Sequence, residues 1–106
     1  MTTAHYERDD DYLWRVLKAL GNPVRLQIVR FIRKHPRCVC NEIIFQLPDD
    51  CSRAQSTVSQ HLKILRDANV IEAEWDGSTT CYLVNEERLG WINERLKDLI
   101  DTPPRR

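Results

Sequence analysis

Cys38-Val39-Cys40 sets two thiols two residues apart in a chain of 106 residues with four cysteines. Two thiolates on one ion form a chelate suited to thiophilic ions such as As(III), Sb(III), Cd(II), Pb(II) or Zn(II). The pair is expected to open a short third helix in which Val39, Ile43 and Leu47 stack four apart. In a regular helix, residues i and i+2 point about 200° apart, so both sulfurs reach one ion only if the pair straddles the helix start or binding unwinds it. Cys51 lies past that helix's far end, more than ~12 Å away while the helix holds. Cys81 falls in a later strand, and each of these two reads as a small buried hydrophobe. The same thiols could instead report oxidants or reactive sulfur, although a disulfide across i and i+2 would be strained.

A second cluster begins at Gln55 and runs through Ser56, Thr57, Ser59, Gln60, His61 and Lys63 to Arg66. Amides and hydroxyls both donate and accept hydrogen bonds, and a helix fits the major groove of B-DNA. A helix with this polar start suits base edges and phosphates better than catalysis. Its back carries Val58, Leu62 and Leu65 at core spacing.

The elements that must position these groups follow from periodicity and punctuation. Up to Asp11 the chain is expected to be a flexible tail. Tyr12, Leu13, Val16, Leu17 and Leu20 recur at helical spacing, and Gly21 ends that helix. Asn22-Pro23 supplies an N-cap and a first-turn proline for a broad apolar helix that Pro36 stops. After the third helix comes the polar one, roughly 55–68, and then strands near 70–75 and 79–84 around Asp76-Gly77, a hairpin signal. A last helix, about 86–101, carries Leu89, Ile92, Leu96 and Leu99 at alternating spacings of three and four, a pairing seam. The expected architecture is mainly α with a β-hairpin wing (α+β): a winged helix-turn-helix over 12–101, with flexible tails at 1–11 and 102–106. The terminal stripes exceed what so small a core covers, which implies a homodimer through the first and last helices.

The formal net charge is zero, yet Tyr12 to Arg37 holds seven basic residues and no acid, while acids gather in the N-terminal tail and from Asp67 to Glu87. A basic lobe of this kind is compatible with a phosphate footprint. No apolar run approaches the roughly 20 residues of a membrane span. The start lacks a signal peptide's basic and apolar regions, so a cytoplasmic protein with reduced cysteines is expected. No Cys-x-x-Cys is present, which argues against a thiol oxidoreductase and for a chain that is not an enzyme.

Ala19-Leu20-Gly21-Asn22-Pro23-Val24-Arg25-Leu26-Gln27-Ile28 and the stretch Gln55 to Ile71 together resemble the ArsR/SmtB family of bacterial metal-responsive repressors, over about residues 12 to 100. The resemblance implies a homodimer that occupies double-stranded operator DNA and releases it when an inducer binds. Positions matching the family's DNA contacts are Gln55, Ser56, Ser59 and Gln60, with Thr57, His61 and Lys63 as auxiliaries; Lys63 suits a phosphate, and His61 could equally pack locally. Cys38-Val39-Cys40 is similar to the arsenite site of the arsenic-responsive branch, which implies As(III) or Sb(III) as inducer with Cys38 and Cys40 as ligands. Where that branch often has a third cysteine, this chain has Ile43. A zinc site on the last helix is not supported, since that helix has no His or Cys, and the tail offers His5 but no thiol. His35 reads as an exposed helix end or as support for the thiols. The wing departs from the family: Glu72, Glu74 and Asp76 stand where a basic residue is usual, leaving Ser78 and Thr79 as its donors.

Overall fold

The computed structural model describes residues 3–48 and 54–104, with backbone alone over 3–10. Among the described residues, five helices surround one core: α1 (Thr3–Leu20), α2 (Pro23–Lys34), α3 (Cys40–Gln46), α4 (Gln55–Asp67) and α5 (Glu86–Asp101). Three short strands, β1 (Cys38–Val39), β2 (Ile71–Trp75) and β3 (Thr80–Val84), form an antiparallel sheet in the order β1-β3-β2. This is a winged helix-turn-helix.

Local chemistry explains the boundaries. Gly21 separates α1 from α2, and Asn22 caps α2 with its side-chain oxygen, which accepts from Val24 N at 2.9 Å and Arg25 N at 3.1 Å. At the end of α4, Asn69 turns left-handed at φ 61°, and Val70 N bonds back to Leu65 O at 2.9 Å, the six-to-one closure that ends many helices. Asn85 caps α5, accepting from Arg88 N at 3.0 Å, with Glu86 and Glu87 in the positive first turn. The wing tip is a four-residue loop, because Trp75 still pairs with Thr80. Asp76 Oδ1 braces that loop by accepting from Ser78 N, Thr79 N and Ser78 Oγ, while Gly77 takes φ 97°.

Val16, Ile28, Ile32, Ile43, Val58, Leu65, Val70 and Ile71 form the centre of the core. They come from α1, α2, α3, α4 and the start of the wing, so α4 packs on α1, α2, α3 and β2.

Three expectations are corrected. Helical backbone runs back to Thr3 where a tail up to Asp11 was expected; no Gly or Pro interrupts residues 3 to 20, so nothing local stops it. Met1, Thr2, Arg105 and Arg106 lie outside the described residues. The sheet has a third strand, for Cys38 and Val39 are extended and pair with Tyr82 and Cys81 on the edge of β3 instead of opening α3. A β-branched Val39 beside an open sheet edge favours this pairing. The terminal stripes, finally, are not wholly free. Val16 and Ile92 are buried in the chain's own core, and Leu20, Leu89 and Leu96 pack against it.

Candidate nucleic-acid interface and thiol site

Helix α4 buries Val58, Leu62 and Leu65 and turns Gln55, Ser56, Ser59, Gln60 and Lys63 outward. These five follow one another around a single exposed face at spacings of one, three and four, so one groove could meet them all. The helix starts after Ala54, whose side chain makes no cap. Lys63 donates to Asp67 across one turn at 2.9 Å. The pair is exposed, worth little in water, and easily exchanged for a phosphate.

Thr57 and His61 do not share that face; both are half-buried. His61 Nδ1 lies 3.1 Å from Arg25 Nη1. Burial, and then the Arg25 charge, hold its imidazole below the ordinary value of 6.5, so the neutral ring accepts from Arg25. His61 therefore ties α4 to α2. Arg25 is the other half of this structural tie, which the sequence does not signal because only the folded chain brings it to a partner 36 positions away.

The basic lobe is thinner than the sequence suggested. Arg15 pairs with Asp11, Arg33 with Glu86 and Arg37 with Glu74, and Arg25 is taken up by His61 and the Ala19 carbonyl. On the wing, Glu74 and Asp76 are similarly occupied, and Glu72 stays exposed. Ser78 is engaged with Asp76, while Trp75, two-thirds exposed at 67%, is the large side chain at the tip.

The thiol pair spans the junction of β1 and α3. Cys38 ends in the core at 3% exposure, Cys40 packs against the same core, and Val39 between them does not. Val39 is extended, with φ −102° and ψ 166°, and alternate side chains of an extended stretch project to one side. The opposition expected inside a helix is thus absent. Glu42 secures the junction by accepting from Val39 N at 2.9 Å. Cys38 N in turn donates to the carbonyl of His35 at 3.2 Å, and the exposed His35 ring lies against Phe31. Burial, reinforced by Glu42, pushes the Cys38 thiol up to about 11, and burial alone raises Cys40.

Cys81 sits opposite Val39 on β3 and is buried, one residue from the pair in register although 41 positions distant in the chain from Cys40. Its side chain faces Glu74 and Asp76, with Asp76 Oδ2 at 3.7 Å; burial and then the Asp76 charge raise its thiol. Cys51 and Arg53 lie outside the described residues. Among the described residues, no group of three or more His, Cys, Asp or Glu side chains is placed to hold a metal ion. No described helix is long and apolar enough to cross a membrane.

The model of bacterial regulatory proteins of the arsR family matches residues 22–73, from the cap of α2 into the wing. The transcriptional repressor SmtB of Mycobacterium tuberculosis is 38% identical over 82 residues, covering 77% of this chain and 57% of that protein. An arsenical resistance operon repressor of Bacillus subtilis is 37% identical over 81 residues, covering 74% of this chain and 72% of the relative. A solution structure of a homodimeric winged helix-turn-helix domain from Mycobacterium bovis, a possible ArsR-family regulator, superimposes with a TM-score of 0.64. It is 24% identical and covers 86% of this chain and 80% of that one.

Proposed function

The chain belongs to the arsR family of bacterial regulatory proteins and is a DNA-binding transcriptional regulator, not an enzyme; from that premise we propose that it is a homodimeric repressor released from its operator by As(III) or Sb(III) held on Cys38 and Cys40. The observation that carries this reading is the extended Val39, which sets both thiols on the core side of the β1–α3 junction. Neutral arsenous acid condenses with two thiols, each sulfur's proton leaving with one arsenic-bound hydroxyl as water. No net proton release is needed, so raised thiols are compatible with it. A divalent cation must drive both protons off, and oxidant sensing relies on a low thiol pKa. Both alternatives are therefore opposed by the burial of Cys38.

The Bacillus relative named for arsenical resistance supports the same class of inducer. Helix α4 would carry operator recognition through Gln55, Ser56, Ser59 and Gln60, with Lys63 on phosphate. Dimerisation is supported by apolar side chains left outside the core on α1 and α5: Tyr12, Trp14, Leu17, Leu99 and Ile100, and by the homodimeric neighbour. The test is operator binding by the full chain with arsenite, antimonite, Cd(II), Zn(II) or peroxide added. Release by arsenite and antimonite at concentrations where the others leave the complex intact is the expected result; release by peroxide alone would replace the metalloid with a redox signal.

A further inference from the structure

Condensation of arsenous acid with two thiols leaves arsenic with one hydroxyl, and α3 has no third thiol to replace it, since Ile43 is buried in the core. Tyr82 shares the buried cluster with Ile43 and Cys38. It lies directly opposite Cys38 on β3, and residues so paired in an antiparallel sheet project to the same face with Cβ atoms about 5 Å apart. Its ring is buried at 9% exposure in the cluster that includes Cys38 and that Cys40 packs against. Burial, and then the neighbouring Cys40, hold its phenol above the ordinary value of 10. A phenol reaches farther from the sheet than a thiol does, on the face that Tyr82 shares with Cys38.

We propose that Tyr82 is a positioning residue of the inducer site, its hydroxyl hydrogen-bonding the one hydroxyl that arsenic retains after Cys38 and Cys40 have displaced the other two. This rests on the reading that those two thiols hold the inducer. The step is not a redox step: arsenous acid and two thiols give a dithiolate arsenic hydroxide and two waters, arsenic stays As(III), and the phenol keeps its proton as donor. A phenol in this place also favours a metalloid that arrives as a neutral hydroxide over one without hydroxyls.

Two probes separate this role from simple packing. Arsenite keeps one hydroxyl on a dithiol site, whereas phenylarsine oxide keeps a phenyl group and none. Tyr82→Phe preserves the buried ring and removes only the hydroxyl. Binding to the full chain is read from the arsenic–sulfur absorption of the protein alone and from release of labelled operator. Tyr82→Phe should hold the operator as the wild type does, bind arsenite about tenfold more weakly, and bind phenylarsine oxide unchanged. Equal weakening toward both probes would make Tyr82 a packing residue, and no weakening toward either would remove it from the site; each outcome overturns the proposal. If Cys38→Ser and Cys40→Ser bind arsenite like the wild type, the inducer reading itself fails, whatever Tyr82→Phe does.

Discussion

Arg25 Nη1 lies 3.1 Å from His61 Nδ1 while Arg25 Nε donates to the Ala19 carbonyl at 2.6 Å, so one guanidinium joins the end of α1 and the body of α2 to the recognition helix. The contact requires a neutral imidazole. Because burial and Arg25 depress the folded pKa below 6.5, the unfolded chain takes up its proton first as pH falls. Stability from this group is present above pH 6.5 and is lost as pH falls through the folded value. Urea midpoints of the wild type should therefore decline below pH 6.5 more steeply than those of His61→Gln. Parallel curves would show that His61 contributes nothing to the acid side of the profile.

Because His61 faces Arg25 and not the outer side of α4, His61→Gln should also leave operator sequence preference intact. Gln60→Ala should relax it. If that amide makes a bidentate base contact, its loss costs about 1–3 kcal/mol on the specific site. Lys63→Ala should weaken specific and random duplex alike and flatten the salt dependence, read from the slope of affinity against salt. A Gln60→Ala protein that still discriminates the operator from random duplex as the wild type does would move the reading face elsewhere on α4.

The legible part of this molecule was whatever local pattern encodes. The stripe Val58, Leu62, Leu65 placed α4 and its outward face, Asn22-Pro23 and Gly21 placed a boundary, and Asp76-Gly77 placed the wing, since spacing and turn chemistry act within a few residues. What escaped was non-local. A strand of two residues has no periodicity of its own, and Cys38-Val39 is extended because the edge of β3 receives it. Tyr82 and Cys81 come beside the thiol pair through that register alone, and Arg25 meets His61 only once α2 and α4 pack. Residue type and spacing are enough to nominate the candidate residues, whereas which of them share a face or a junction depends on the fold.

Dimerisation is best probed outside the protomer's own core. Leu96 packs against that core, so Leu96→Asp would unfold the protomer as well as separate it. Leu99 at 66% exposure and Leu17 at 39% are the better probes. Burying a leucine is worth about 1.5–3 kcal/mol, and in a symmetric dimer each substitution counts twice. Leu17→Asp with Leu99→Asp should sediment as a folded monomer and lose operator binding. A wild type that sediments as a monomer at micromolar concentration would refute the homodimer.

The last prediction concerns which thiols the response needs. Cys38 and Cys40 share the core side of an extended junction, whereas Cys81 turns toward Glu74 and Asp76 and is engaged with Asp76. Cys38→Ser and Cys40→Ser should each retain full operator affinity and no longer respond to arsenite, while Cys81→Ser and Cys51→Ser should respond as the wild type does. Serine keeps the side chain's size, so a loss of response cannot be ascribed to a cavity. Unresponsiveness in Cys81→Ser would mean that the ion is shared across β1 and β3, with the wing itself pulled by binding. Unresponsiveness in Cys51→Ser would mean that the segment before α4 closes onto the pair, and the two-thiol site would give way to a three-thiol one.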